Sequence, residues 1–275
     1  MLGKDLAVEL SKSFEVVTFD KEELDICNYQ QVHEKVSLAK PDLIINAAAY
    51  TNVDGAETEY ELAEKINGDA LKNLTRVAYD NVALLVHFST EMVFDGVNRA
   101  GYNEDSAPNP INKYGQSKLK GEQYVLEWSA NYPDFKYWLI RTSWLYGKNP
   151  QMGKPRGKNF IDSILEKVTH GETVKIVNDQ FGKPTNSLDL VQALSKMIKD
   201  KNQSGIYHLV NEGVTSWYEL AKQAAIIKYN TADKILSCSS SEYPTPAKRA
   251  QFGVLNNNKL TKMRSWRLAL EDYLD

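Results

Sequence analysis

A tyrosine and a lysine four residues apart share one helix face, because side chains at i and i+4 stack along the axis. There the ammonium can favour tyrosinate, lowering a phenol pKa that starts near ~10 and making the phenol a usable acid at neutral pH. The spacing occurs three times among 15 tyrosines, as Tyr114/Lys118, Tyr132/Lys136 and Tyr218/Lys222, so chance matches are expected. Pro133 interrupts the second and argues against a helix there. The third falls late in the chain, away from the carboxyl ends of the strands where an open α/β sheet binds ligands, and reads as a solvated helix face. Tyr114/Lys118 differs by context: Pro108-Asn109-Pro110 makes a turn before it, and the hydroxyl pair Ser89-Thr90 closes the preceding apolar run. A hydroxyl there can hydrogen-bond the carbonyl oxygen that a tyrosine protonates. On residue types alone, this set stands equally as a catalytic group and as coincidence.

The elements that must position these groups alternate up to about residue 185. Short β-branched runs, predicted as strands at Glu15 to Phe19, Leu43 to Ala48, Ala83 to Ser89, Trp138 to Thr142 and Val174 to Val177, alternate with helical periods at Leu6 to Leu10, Ile66 to Val77 and Lys113 to Leu126. This is the pattern of a parallel sheet with crossover helices. After Asn186, a helix at Leu188 to Ile198, a strand-like Gly205 to Leu209 and a helix capped by Ser216 are expected in a smaller lobe. The fold class predicted is α/β, a Rossmann-like doubly wound parallel sheet with a smaller α/β substrate lobe. Residues 1–145 are expected to form the dinucleotide-binding part and 146–275 mainly the substrate lobe, with Val174-Val177 returning to the sheet.

Six ordered blocks carry a resemblance: Asn46-Ala-Ala-Ala-Tyr-Thr51, Phe88-Ser-Thr-Glu-Met-Val-Phe-Asp-Gly96, Asn112-Lys-Tyr-Gly-Gln-Ser-Lys118, Arg141-Thr-Ser-Trp-Leu-Tyr-Gly147, Asn178-Asp-Gln-Phe-Gly-Lys-Pro-Thr185 and Tyr243-Pro-Thr-Pro-Ala-Lys-Arg249. Together they resemble the dTDP-4-dehydrorhamnose reductases, extended short-chain dehydrogenases. The resemblance implies reduction of the C4 ketone of a nucleotide-linked 4-keto-6-deoxy sugar by NADH or NADPH. Tyr114 would donate the proton, Lys118 would bind the nicotinamide ribose and tune Tyr114, and Thr90 would hold the same oxygen. Glu91 and Trp144 would face the sugar. Ala47, Ala48, Ala49, Tyr50, Thr51 and Phe88 would line the cofactor, as would Met1 and Leu2 at the phosphate end. Asp20 sits where a carboxylate can bind the adenosine ribose and tilt the choice toward NADH. Asp25 and Ile26 match the adenine-edge segment. Both aspartates also suit turns.

Two departures stand out. Relatives usually have aspartate then tyrosine after the threonine, whereas this chain has Glu91 and Met92, which puts the sugar's identity in question. The opening Met1-Leu2-Gly3 runs straight into a helix, although this fold normally starts with a strand and a glycine-rich turn that receives the pyrophosphate. A first strand and most of that turn are therefore expected to be missing, through a displaced start or a real deletion. Alternative readings are a non-catalytic regulatory or binding subunit of the same fold, and a reductase or epimerase of another nucleotide sugar. Retention of Thr90, Tyr114 and Lys118 argues against the former.

Bulk properties narrow the classes. A chain of 275 residues, 42% hydrophobic, can bury a sizeable core. A formal charge of -3 with interspersed signs gives no polyanion-binding signature, so no nucleic-acid partner is expected. Cys27 and Cys238 suggest neither a disulfide framework nor a zinc site, and no metal is assigned. His33, His87, His170 and His208 show no metal spacing and receive no role. No apolar stretch reaches the ~18 residues of a membrane span, and a cytoplasmic enzyme, with a homodimer as an option, is the expectation. The basic loop Lys148 to Lys158 reads as a solvated segment rather than a nucleotide contact.

Overall fold

The computed structural model describes residues 1–151 and 157–275. Its first half consists of α1 (Leu2–Leu10), α2 (Tyr29–Ala39), β1 (Leu43–Asn46), α3 (Tyr60–Glu64), α4 (Ala70–Asp80), β2 (Leu84–Thr90), α5 (Lys113–Asn131), β3 (Tyr137–Thr142) and the short β4 (Leu145–Tyr146). A single wide π turn, Lys65–Asp69, joins α3 to α4. The second half adds α6 (Phe160–Thr169), β5 (Val174–Val177), β6 (Phe181–Gly182), β7 (Thr185–Asn186), α7 (Ser187–Asp200), β8 (Gly205–His208), β9 (Thr215–Ser216), α8 (Trp217–Tyr229), β10 (Ile235–Cys238), β11 (Phe252–Gly253) and α9 (Trp266–Leu274).

The main sheet is parallel, in the order β1-β2-β3-β8. Period-2 alternation sends its residues to two different cores. Leu85 and Leu139 pack with Val32, Val36, Leu71, Leu74 and Val125 of α2, α4 and α5. Val86, Phe88, Trp138 and Ile140 face the other way, onto Leu6 and Leu10 of α1 and Leu190, Val191, Leu194 and Met197 of α7. A parallel sheet needs this cover on both faces, which is why β2 and β3 read as nearly continuous apolar runs. A third core joins β5 and β10 to α6, α8 and α9.

Three expectations are corrected. Glu15 to Phe19 forms no ladder, and Val17 and Phe19 are 59% and 37% exposed. A strand there would need a neighbour beside β1, and among the described residues none pairs with the outer edge of β1. Phe14 and Val16 instead pack with Leu2, Leu43 and Ile45 against the α1 and α7 core. Val174–Val177 does not return to the main sheet. It pairs with β10, because Val174 and Ile176 bury on the α6 and α8 side while Lys175 faces solvent. The segment that joins β3 is Gly205–His208, whose Tyr207 belongs to the main-sheet core. α7 likewise packs on the main sheet although it lies beyond residue 146.

A buried fork fixes the long helix to the sheet. Arg141 of β3 donates from Nε to Glu122 Oε1 at 3.0 Å and from Nη2 to Glu122 Oε2 at 2.6 Å. The two side chains are 1% and 0% exposed. Arg141 also donates from Nη1 to the Glu104 carbonyl at 3.3 Å. Removing one partner strands the other charge in the interior, which typically costs about 3–5 kcal/mol, whereas apolar replacement of both is far better tolerated. Glu122→Leu should therefore lower unfolding stability by about that amount, and Glu122→Leu/Arg141→Met should recover most of it. Denaturant unfolding of the two variants beside the parent checks both outcomes, and equal losses would refute the account.

Candidate active site

The crevice forms where the carboxyl ends of β1 and β2 meet the start of α5. Three local devices place that start. Asn112 caps the helix, its side-chain oxygen accepting from the Gly115 amide at 2.7 Å. Asn109, in the turn before it, donates its amide to the Val93 carbonyl at 2.8 Å. Gly115 itself is required by contact: a Cβ there would sit 2.1 Å from the Met92 carbonyl oxygen. The first turn of α5 is thereby pressed against the segment that follows β2.

On that turn Tyr114 is half-buried, and Lys118, one turn on, is 2% exposed. Burial, and after it the negative charge of Glu91, pushes the Tyr114 phenol up from its ordinary value, so it stays protonated at neutral pH. Burial pulls the Lys118 amine down to about 8. Lys118 Nζ donates to the Phe88 carbonyl at 2.6 Å and lies 3.2 Å from His87 Nε2. Thr90 ends β2, accepting from the Met92 amide at 3.2 Å and donating to Glu91 Oε2 at 2.8 Å. The Ser89 hydroxyl is buried with no hydrogen-bond partner among the described residues.

Glu91 and Met92 open onto a small cavity whose walls include Trp144, Phe181, Trp217 and Arg249. Trp144 has φ 46°, a left-handed conformation that a bulky residue seldom adopts. Its ring lies 3.7 Å from that of Trp217 at 13° between planes, and a Cβ at Gly182 would come within 2.6 Å of it. The strain is thus held by stacking over a residue with no side chain. Arg249 is tied down by Asp54, accepting from its Nη2 at 2.9 Å, and Asp54 also accepts the Ala247 amide. Asn112 holds the same loop through the Lys248 carbonyl at 2.9 Å.

The other face of the crevice is built of small groups. Ala47 and Ala48 are exposed just past β1, and Ala49 and Tyr50 are half-buried. Gly3 of α1 lies against them, since a Cβ there would be 3.8 Å from Ala47 Cβ. Met1 and Leu2 stand at the amino end of α1, where backbone amides lack helical partners. Asn67, in the π turn, clamps this wall to α5: it accepts the Tyr50 amide at 2.9 Å and donates to the Tyr50 carbonyl and to Ser117 Oγ, each at 3.0 Å. Thr51 follows it, half-buried. Small side chains beside helix-end donors fit an extended anionic dinucleotide.

The outlying expected residues sit less simply. Asp20 Oδ1 accepts the amides of Glu22 and Glu23, and Asp25 Oδ1 accepts that of Cys27, so both carboxylates cap turns. Ile26 packs against the α2 and α4 core. With Asp20 engaged in its own turn, its geometry gives the tilt toward NADH no support. Tyr218/Lys222 lies on α8, packed against the third core. In the basic loop, residues 152–156 lie outside the described residues. Sequence reasoning passed over His87, Trp217 and Arg249. Only His87 left a usable trace: strand alternation puts it on the same face as Ser89, toward α5.

The chain matches the family described as RmlD substrate binding domain over residues 1–275. It is 33% identical over 287 residues to the dTDP-4-dehydrorhamnose reductase of Escherichia coli (strain K12), covering 99% of this chain and 91% of that protein. Among solved structures it is similar to the dTDP-4-dehydrorhamnose reductase of Bacillus anthracis in complex with NADP, with TM-score 0.90, 37% identity and coverage of 99% and 94% of the two chains. UDP-glucose 4-epimerase of Thermotoga maritima, at TM-score 0.83 and 17% identity over 100% and 94% of the chains, shares the Rossmann-like fold.

Glu91 supplies a pH test of this geometry. Burial raises its carboxyl from 4.5 to about 7, against the opposing effects of the Thr90 hydrogen bond and Arg249. A carboxyl whose folded pKa is raised contributes stability that is full below about pH 4.5 and is lost as pH rises through about 7. Wild type should therefore lose stability relative to Glu91→Gln between pH 4.5 and 8, by roughly 3 kcal/mol. Unfolding curves of both proteins at the two pH values read this directly, and a constant difference would mean that Glu91 ionises freely.

Proposed function

The chain belongs to the family of the RmlD substrate binding domain, and from that membership we propose that it is an NADPH-dependent dTDP-4-dehydrorhamnose reductase, forming dTDP-L-rhamnose. The observation that carries the reading is the pairing of Tyr114 and Lys118 on the buried face of α5, opposite the end of β2 where Thr90 stands. NADP in the Bacillus anthracis relative favours the phosphorylated cofactor.

In this mechanism the crevice between Ala47–Thr51, Phe88 and the start of α1 would hold the dinucleotide, with Met1 and Leu2 the residues for its phosphates and Asp20, Asp25 and Ile26 those for its adenosine end. Bound there, the dihydronicotinamide supplies the hydride. Tyr114 gives its phenolic proton to the C4 oxygen, and Thr90, turning its hydroxyl from Glu91 Oε2, offers that oxygen a second donor. A developing alkoxide is thus met by a positioned acid and a hydrogen bond, so charge never accumulates unsolvated. Lys118, as the cation, stabilises the tyrosinate that remains and orients the nicotinamide ribose. Glu91 and Trp144, lining the cavity with Trp217 and Arg249, hold the sugar. Met92, in place of a hydroxyl-bearing residue, leaves that wall apolar. The enzyme works in the cytoplasm, and a homodimer is compatible with the reading. Residues 1–145 chiefly hold the cofactor, and the later residues chiefly hold the nucleotide sugar.

Tyr114→Phe should leave nucleotide-sugar binding nearly intact and lower turnover by on the order of a hundredfold or more, since general acid catalysis is typically worth that. Tyr218→Phe should change little. NADPH oxidation with dTDP-4-dehydrorhamnose, alongside calorimetric binding of a dTDP-sugar, measures both. Comparable losses in the two variants would overturn the choice of Tyr114.

A further inference from the structure

His87 is 1% exposed and sits beneath the reductase residues, between Asn46 of β1 and Lys118 of α5. Its Nδ1 is 3.1 Å from Asn46 Nδ2, and its Nε2 is 3.2 Å from Lys118 Nζ. The Ala48 amide donates to Asn46 Oδ1 at 3.1 Å, which fixes the Asn46 side chain with its NH2 toward the imidazole. Asn46 therefore donates to Nδ1, and a neutral imidazole carries its single proton on Nε2. That Nε2–H points at Lys118 Nζ. An amine can accept it with its lone pair while donating to the Phe88 carbonyl, and every polar atom in the row is then satisfied. An ammonium cannot accept. If Lys118 is charged, two donors face each other at His87 Nε2, or, with the tautomer reversed, at Asn46 Nδ2, or, with the amide also turned, at the Ala48 amide.

We propose that His87 is a positioning residue that tunes the charge of Lys118: through a tautomer fixed by Asn46 it donates to the lysine and favours the free amine, so that in the cofactor-free protein the lysine gives up its proton more readily than it would without the histidine. The inference rests on the reductase reading, in which Lys118 must become a cation to stabilise tyrosinate. It gives that charge a threshold. Lys118 keeps its proton only against one unsatisfied contact in a buried row, so the cation is favoured further when the crevice provides negative charge or acceptors.

The charged and titratable groups around the pair are few. From α5 come Tyr114, one turn before Lys118, and Glu122, one turn after. From β3 comes Arg141, bound to Glu122. From the segment after β2 comes Glu91, which faces Tyr114. From β1 comes only the uncharged Asn46. Glu122 favours the lysine cation and burial opposes it, with burial the larger effect. Burial likewise holds the imidazole pKa well below its ordinary value, so the neutral ring assumed above is the resident form.

Nitrogen NMR of the cofactor-free protein, labelled at histidine and lysine, tests the proposal without turnover. In wild type His87 should carry its proton on Nε2, and a proton on Nδ1 overturns the proposal with no variant needed. Lys118 Nζ should titrate near 8. In His87→Gln the side-chain carbonyl can accept from the ammonium, so the titration should move up by about one pH unit, the worth of one hydrogen bond. Asn46→Asp accepts Nδ1–H, turns Nε2 into an acceptor and should also raise it. His208→Gln, which removes a buried histidine bonded to the Asn256 carbonyl and not to Lys118, should leave it unmoved. An unmoved Lys118 in folded His87→Gln or Asn46→Asp protein overturns the proposal. The alkaline limb of kcat/KM for NADPH-dependent reduction should shift with the NMR value. A wild type that binds but never reduces the nucleotide sugar would refute the reductase reading while the tautomer result stood.

Discussion

The buried fork between Arg141 and Glu122 is the contact on which the rest of the site depends. Glu122 lies one turn beyond Lys118 and two beyond Tyr114, so a single stripe of α5 carries the proton donor, its tuning amine and the anchor. Pinning Glu122 in two hydrogen bonds to β3 fixes both the rotation and the height of that stripe over the sheet. A point contact would allow the helix to roll; a bidentate one defines a plane. The other end of the stripe is set by Asn112 and by the approach of Gly115 to the Met92 carbonyl. Tyr114 and Lys118 therefore sit between two fixed ends of one rigid helix.

The same helix needs room on its remaining side. A Cβ at Gly121 would fall 2.3 Å from the Asn67 carbonyl oxygen, so α5 lies directly on the π turn. That wide turn displaces Asn67 toward the crevice, where its amide can reach the Tyr50 backbone and Ser117 together. One asparagine thus ties the wall of small residues to the helix that carries Tyr114. π turns recur where a side chain must leave the regular helical path to serve a site, and Asn67 is such a case.

Much of this was legible in residue order. The helix at Lys113, the strand ending in Ser89-Thr90 and the alternation of strands with helices are local patterns, and they form nearly where periodicity puts them. What local pattern cannot supply is the partner. Glu15 to Phe19 has the composition of a strand but no neighbour among the described residues. Val174–Val177 has the right alternation but finds β10 rather than the main sheet, because its apolar face matches α6 and α8. His87 was missed for a related reason. A lone histidine on an apolar strand carries no spacing signal, and its meaning comes from Asn46 and Lys118, which are 41 and 31 residues away. Gly115 and Gly121 were visible, but only the distance between helix and neighbour explains why a methyl group cannot stand there.

The groups around the crevice share a tendency that follows from its dryness. Burial displaces the phenol of Tyr114 and the carboxyl of Glu91 upward and the amine of Lys118 downward, each toward its uncharged form. Arg141 and Glu122, buried beside them, neutralise each other. The crevice in this state favours neutral groups. A proton added at one group is therefore felt strongly at the next, because little solvent is present to screen it. Glu91 raises Tyr114 by its charge, and Thr90 lies between the crevice and Glu91 through its hydroxyl. A substrate oxygen arriving at Tyr114, and at Thr90 once its hydroxyl turns from Glu91, thus meets its donors in a region with little solvent to compete. That is the condition under which a positioned phenol, weakly acidic in water, becomes an effective acid.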